Sequence, residues 1–338
     1  MRIVIVGATG NVGTAVLRRL QSLPERPELV GVARRKPDDS APPYAGVEWH
    51  SVDISSPTAE AQLAPVFAGA DAVVCLAWLL QPNRDEPYMW KTNVRGTEHV
   101  AEAAAAAGVP HFVYASSVGA YSSGPKHRRV SEEWPTGGVH TSQYGRQKAA
   151  TERALDRIEA AHPAMLVTRI RPGLVLQADA GAEIKRLFLG PQIPSGWMRR
   201  PRVLILPLPT RMVSQVVHAD DVADAFWRVL DQRAGGAFNL AAEPVIGPAE
   251  VAKVMHAKHI PFREPVLRAI TGITWRLHLH RTDPGWVELA TNIPVMSTAR
   301  AREVLGWVPQ RRSLDVLREM LTGLADRTHV QASPPLKR

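Results

Sequence analysis

The sequence predicts an α/β chain built on a doubly wound parallel sheet, with a smaller C-terminal lobe for substrate. Two observations carry this. A β-branched run, Arg2-Ile3-Val4-Ile5-Val6, passes through a glycine turn into an amphipathic helix. Further apolar strand patterns then alternate with helical ones up to about residue 170, as they do where parallel strands are joined by helical crossovers.

The first helix puts Val12, Val16, Leu17 and Leu20 on one face and Arg18 and Arg19 on the other. Glu28–Ala33 reads as the second strand, 47–52 as the third, 71–77 as the fourth and His111–Ala115 as the fifth. Residues 89–107 form a helix favoured by their alanine run. A second long helix over 143–161 stops at His162-Pro163, and 164–170 is a sixth strand. After Arg171-Pro172-Gly173 the character changes. Residues 177–215, rich in Pro, Gly and Arg around Trp197, read as a substrate-covering loop region. Helical patterns return over 247–255 and 261–280. The domains then divide as 1–175 with 211–245 returning to it, a substrate-binding lobe of 176–210 and 246–326, and a disordered tail over 327–338.

Composition is that of an ordinary globular enzyme, 45% hydrophobic and 22% charged over 338 residues. The lone cysteine, Cys75, excludes a disulfide framework and sits in an apolar run as a small buried hydrophobe. No secretory leader pattern precedes the first strand and no apolar stretch approaches a membrane span, so a cytoplasmic protein is expected. The net charge is +9. Basic residues gather at 34–36, 126–129 and 199–202, and scatter from Arg263 to Arg281, without the interleaved aromatics of a nucleic-acid module. No nucleic-acid partner is expected. Solvated surface charge and an anionic cofactor account for the balance.

The segment Gly7-Ala8-Thr9-Gly10-Asn11-Val12-Gly13 has G-x-x-G-x-x-G spacing between strand and helix. Gly7 permits the sharp turn, Gly10 lets backbone approach a pyrophosphate, and Gly13 lets helix pack on strand. The free N–H groups of the helix start would bind the phosphates. This predicts a Rossmann-type dinucleotide site. The second strand ends in Ala33-Arg34-Arg35, where an NAD site would carry a carboxylate for the ribose. Two guanidiniums suit a 2′-phosphate, so NADP is the expected cofactor and NAD the alternative. Arg34 and Arg35 as the start of a solvated loop is the competing reading.

Tyr144 and Lys148 lie at i and i+4, on one helix face. A nearby ammonium should lower the phenol's pKa toward working pH and fit it for proton exchange at a carbinol or carbonyl. Ser116-Ser117 follows the fifth strand directly, at the strand end where such sheets bind ligands, and Ser117 could hydrogen-bond a substrate oxygen. Alone, each pattern also suits a solvated helix pair or a turn cap.

Together these residues resemble the extended short-chain dehydrogenases/reductases, which include NAD(P)-dependent epimerases and dehydratases. The resemblance runs from Met1 to about Pro309. Ser117, Tyr144 and Lys148 match the family's catalytic residues, and Gly7 to Gly13 its cofactor loop. Asp53-Ile54 resembles its adenine-contacting pair and Leu76-Ala77 the segment that passes over the cofactor. Asn93-Val94-Arg95-Gly96-Thr97 is similar to its N-x-x-G-T helix start, with Asn93 implied at the cofactor, and Arg171-Pro172-Gly173 resembles the stretch beside the nicotinamide, which implies a role for Pro172. Val217 to Ala223 and Leu305 to Pro309 resemble its late structural motifs.

The resemblance implies hydride transfer between nicotinamide and a hydroxyl or carbonyl carbon of a small substrate, with Tyr144 as general acid/base. It also implies a homodimer through the helices 89–107 and 143–161, where Ala101 and Ala103 to Ala107 would allow close approach. The chain departs from many members in having Cys75 and Trp78, the latter narrowing the nicotinamide pocket. Val213-Ser214-Gln215-Val216 lacks the Arg of nucleotide-sugar members, and Gly173 to Gln177 lacks their Asn and Tyr-Gly-Pro, which weighs against a nucleotide sugar. Two other readings stand beside this one: a cofactor-sensing regulatory protein, and a reductase of a lipid-like alcohol. His278 and His280 have no acidic or Cys partner in sequence, so no metal is expected. Val266, Ile270, Ile273 and Leu277 have helical spacing among arginines. This stripe is expected to wall the substrate lobe, a membrane-surface helix being the alternative.

Overall fold

Four apolar residues of β1 (Arg2–Val6) are almost wholly buried because the strand lies inside a parallel sheet with helices on both faces. The computed structural model describes residues 1–81, 84–184, 205–280 and 282–336. The other sheet strands are β2 (Glu28–Ala33), β3 (Glu48–Ser51), β4 (Ala72–Cys75), β5 (His111–Ala115), β6 (Leu166–Pro172) and β7 (Gly236–Leu240). Their order is β7-β6-β5-β4-β1-β2-β3, with every pairing parallel. The chain winds one way from β1 to β3, then returns to β4 on the other side of β1. The switch point between β1 and β4 opens a crevice at their carboxyl ends.

Two cores sandwich the sheet. On one face α1 (Asn11–Gln21) packs with α5 (Ala219–Gln232), joining Leu17 and Leu20 to Phe226 and Val229. Trp307 completes this layer and donates its indole N–H to Asp221 O. The other face holds α2 (Ala59–Phe67), α3 (Gly96–Ala106) and α4 (Gln143–Ala161) over Val4, Val73 and Phe112.

The helix read over 89–107 is in two pieces, Glu86–Trp90 and α3, joined by a π-helical turn at Lys91–Arg95. Its alanines are also placed differently from expectation. Ala101, Ala103 and Ala104 are buried in the core beneath the sheet, so they cannot form a dimer seam. The exposed positions of α4 include the charged Arg153, Asp156 and Arg157.

Beyond β6 the chain forms short parallel pairs, Leu174–Leu176 with Val216–His218 and Ile205–Leu208 with Lys258–Pro261. Helices α6 (Glu264–Arg276), α7 (Gly285–Asn292) and α8 (Ser313–Asp326) follow. The loop expectation over 177–215 falls partly on 185–204, outside the described residues, as do Trp197, the basic cluster at 199–202 and Arg281.

Two expectations are overturned here. The stripe Val266, Ile270, Ile273 and Leu277 faces outward instead of walling the lobe, because polar residues of α6 bind inward to α7. The tail is not loose over 327–336. Ser333 Oγ donates to Thr9 O (2.7 Å) and Leu336 is fully buried, so the segment is fixed against the glycine loop.

Candidate active site

At the turn after β1, Gly7 adopts φ +86°, and a Cβ there would stand 2.6 Å from Ala77 N. Only glycine fits between the two strand ends. Gly13 is equally constrained: a Cβ would meet Gly7 O at 2.5 Å, so α1 lies directly on the turn. A Cβ at Gly10 would meet only Gly7 O, at an ordinary 3.6 Å, and α1 begins at Asn11 with its first N–H groups free of intrahelical partners. The side chain of Asn11 points away. Its Nδ2 donates to Val175 O (3.2 Å), and Gln177 Nε2 donates to Asn11 Oδ1 (2.7 Å), tying the loop to the strand beyond β6.

The crevice is walled by Gly7, Thr9, Arg34, Arg35, Asp53, Ile54 and Ala77, all singled out from sequence. Trp78, Leu79, Thr92 and the tail prolines Pro334 and Pro335 also line it, with the strand-end residues Val6, Val32, Ala33 and Val52. Thr92 Oγ1 is buried with no protein partner among the described residues, an acceptor and donor free for a polar ligand. A slot with the glycine turn in its wall, arginines at its mouth and an unpaired hydroxyl fits a dinucleotide. Thr92 neighbours Asn93 and its sequence context could have revealed it; nothing in the sequence marks Pro334 and Pro335.

Asn93 does not line this crevice. It accepts Leu79 N–H on Oδ1 (2.7 Å) and donates through Nδ2 to Leu79 O (2.9 Å) and Gln147 Oε1 (2.8 Å). It therefore clamps the segment that follows β4 over the sheet edge. Leu76 and Pro172, like Val12, also lie outside the crevice walls. Pro172 ends β6 opposite Leu240.

Ser117, Tyr144 and Lys148 converge at the inner end, beyond Trp78. The Ser117 hydroxyl accepts Gly119 N–H (3.0 Å) and lies beside the Tyr144 phenol, whose pKa it lowers. Lys148 Nζ donates to Ala115 O (2.8 Å) and Tyr114 OH (3.1 Å), and sits 3.5 Å from the centre of the Trp78 ring. Trp78 also meets Tyr144 edge-on, with ring centres 5.7 Å apart. The indole thus stands between the crevice and the two side chains, the narrowing expected from its bulk.

The phenol's pKa moves opposite to the expected direction, and Lys148 is not what moves it. Burial pushes Tyr144 up to about 12, with Ser117 opposing, and burial pulls Lys148 down to about 7. Desolvation exceeds the attraction because Nζ points to Ala115 O and Tyr114, not to the phenol.

Beneath them lies a buried ion pair. Glu152, one turn beyond Lys148, takes Arg171 Nε (2.8 Å) and Nη2 together with Ser116 Oγ. Arg171 also reaches Tyr121 OH (3.0 Å) and Glu132 O (2.8 Å). Burial works against the guanidinium charge, yet the hydrogen bonds and charge of Glu152 hold its pKa above the ordinary value. Sequence reading missed this pair, since α4 and β6 meet only in three dimensions. Among the described residues no group of three or more His, Cys, Asp or Glu could hold a metal ion, and no helix is long and apolar enough to cross a membrane.

A crevice at the β1/β4 switch point, with a serine, tyrosine and lysine gathered at its inner end, defines a nicotinamide-dependent enzyme of the extended short-chain dehydrogenase/reductase type. The chain belongs to the NAD dependent epimerase/dehydratase family, whose model matches residues 3–241. It is 25% identical over 331 residues to a UDP-glucose 4-epimerase of Streptomyces lividans, covering 93% of each chain. It is also 25% identical over 328 residues to a dTDP-6-deoxy-L-talose 4-dehydrogenase (NAD(P)(+)) of Kitasatospora kifunensis, covering 95% of each. Among solved structures, a Thermus thermophilus UDP-glucose 4-epimerase complex with NAD superposes with TM-score 0.69 at 19% identity, over 96% of this chain and 99% of that one. A Bacillus cereus UDP-glucuronic acid 4-epimerase variant with NAD gives 0.70 at 14%, over 97% and 100%. These structural likenesses carry the fold.

Proposed function

We propose that this enzyme moves a hydride between a nicotinamide and a carbon of a small substrate bearing a hydroxyl or carbonyl, with Tyr144 as the proton-exchanging group. The observation that carries the reading is the adjacency of the Ser117 and Tyr144 hydroxyls beside buried Lys148, at the carboxyl ends of parallel strands. Bound nicotinamide supplies or accepts the hydride. In the reducing direction Tyr144, whose phenol keeps its proton at neutral pH, donates to the substrate oxygen, and Ser117 hydrogen-bonds that oxygen. The charge of Lys148 favours the phenolate left behind. Gly7 and Thr9 in the crevice wall, with the start of α1 behind them, would receive the pyrophosphate, Asp53 and Ile54 the adenine. Asn93 holds Leu79 in place above them. A sensor of the dinucleotide has no need of the Ser117, Tyr144 and Lys148 set. Tyr144→Phe tests the reading: turnover should fall about a hundredfold or more while cofactor binding persists, and unchanged turnover refutes it.

Arg34 and Arg35 at the crevice mouth, with no carboxylate ending β2, support NADP as the preferred cofactor, although the structural relatives named above carry NAD. Nucleotide sugars, which the names of the relatives suggest, are the second substrate reading; the missing Arg before His218 counts against them. Turnover assays with UDP- and dTDP-sugars distinguish the two. A cytoplasmic setting accords with a free buried thiol at Cys75. A homodimer through the outer faces of α3 and α4 accompanies this reading, and a monomeric mass by light scattering would refute it.

A further inference from the structure

Helix α6 turns its apolar stripe outward. Glu264 accepts from Thr291 Oγ1 (2.9 Å) and Arg268 pairs with Glu288, so the polar positions of α6 face α7. Arg84 stacks on the Trp275 ring at 4.2 Å. The stripe Val266, Ile270, Ile273 and Leu277, spaced so that all four share one face, is left 40–63% exposed. No residue of α6 is buried. A surface helix of a soluble protein buries its apolar stripe and exposes its polar one.

The neighbourhood extends the pattern. Of eleven large apolar side chains exposed among the described residues, five stand on this helix or just beyond its end: the four of the stripe, and Leu279. Charge is equally one-sided. Between 253 and 280 stand Lys253, Lys258, Arg263, Arg268 and Arg276 against one acid, Glu264, which is already bonded to Thr291. Arg263 and Arg276 are exposed and fall at opposite margins of the stripe.

We propose that this face docks on the surface of an anionic lipid bilayer, with the stripe entering the interface and Arg263 and Arg276 meeting lipid phosphates. The combination of a centred apolar strip with flanking cations is what interfacial binding uses: apolar burial for grip, electrostatic attraction for selectivity. A second copy of the chain fits the same face poorly, since it would bring the cation sets together. The inference is independent of the substrate reading.

The test is sedimentation of the full-length protein with vesicles of phosphatidylcholine alone, or of phosphatidylcholine mixed with phosphatidylglycerol. The wild type should sediment with the mixed vesicles, much less with the neutral ones, and less again in high salt. Ile270→Glu/Ile273→Glu and, separately, Arg263→Glu/Arg276→Glu should each weaken partitioning by about tenfold or more. All four positions are exposed, so melting temperature and dinucleotide binding should match the wild type and exclude misfolding. Failure of the wild type to bind mixed vesicles overturns the proposal, as does equal binding by either variant. So does a wild-type dimer, seen by light scattering, that Ile270→Glu/Ile273→Glu converts to monomer.

Discussion

Glu152→Gln should be the most costly isosteric change near the site. Glu152 is 2% and Arg171 6% exposed, and the guanidinium gives Glu152 two of its hydrogen bonds. The amide keeps the shape and can still accept from Ser116, but it removes the charge and turns an N–H toward Arg171. That leaves a buried cation with neutral acceptors alone, the amide oxygen at Nε, Tyr121 OH and Glu132 O, and with Nη2 facing an N–H. Breaking a buried pair on one side costs about 3–5 kcal/mol. A urea titration followed by far-UV circular dichroism should show that loss, and added salt should change it little because the pair is shielded from water. The double variant Glu152→Leu/Arg171→Met removes both charges and should lose less than the single one. The site should register the change too. Glu152 raises the pKa of Lys148 against the dominant pull of burial, so the mutant ammonium loses its proton at lower pH. A stability loss under about 1 kcal/mol would refute the view that this pair is held together by its own charge.

Other consequences can be checked more simply. Replacing Arg34 and Arg35 together by Ala should erase a roughly ten- to hundredfold preference for NADPH over NADH in fluorescence titrations, leaving NADH affinity little changed; equal wild-type affinities would mean the arginines are surface charge. Trp78→Ala removes the indole from Lys148, a buried cation–π contact of about 2 kcal/mol, and the dissociation constant of the reduced cofactor should fall about tenfold; an unchanged or higher value would show that the indole does not obstruct binding. His111 is buried, and burial, with Arg233 adding to it, lowers its pKa to about 4 from 6.5. Its ring stays neutral in the fold while the unfolded chain protonates, so stability should drop by up to about 3 kcal/mol as pH falls from 6.5 to 4. His111→Gln should flatten that slope in acid titrations, and an unaltered slope would place the acid sensitivity elsewhere.

What could be read from the sequence was whatever depends on near neighbours in the chain. The turn at Gly7, the helix beginning at Asn11 and the Tyr144/Lys148 spacing are local patterns, and the alternation of strands and helices fixes how they meet at the sheet edge. Features that depend on a side chain's final direction were not legible. Asn11 and Asn93 suit cofactor contacts by position, yet both turn to bind backbone elsewhere. The Tyr144 phenol rises because of burial, which spacing does not report. Periodicity revealed the stripe on α6 but not which side of it would meet solvent. β7 escaped attention because Gly235-Gly236 precedes only a short apolar run.

The bond from Ser333 to Thr9 closes a loop across 324 positions of sequence. The glycine turn at residues 7–13 leaves the ribosome early and can fold with the strands around it. The prolines that line its crevice, Pro334 and Pro335, emerge only after every strand of the sheet. Without residues 333–335 the glycine turn would stand without this outer wall of the crevice. The glycine turn and residues 333–335 are therefore coupled: a change that frees Ser333 from Thr9 also takes one wall off the crevice.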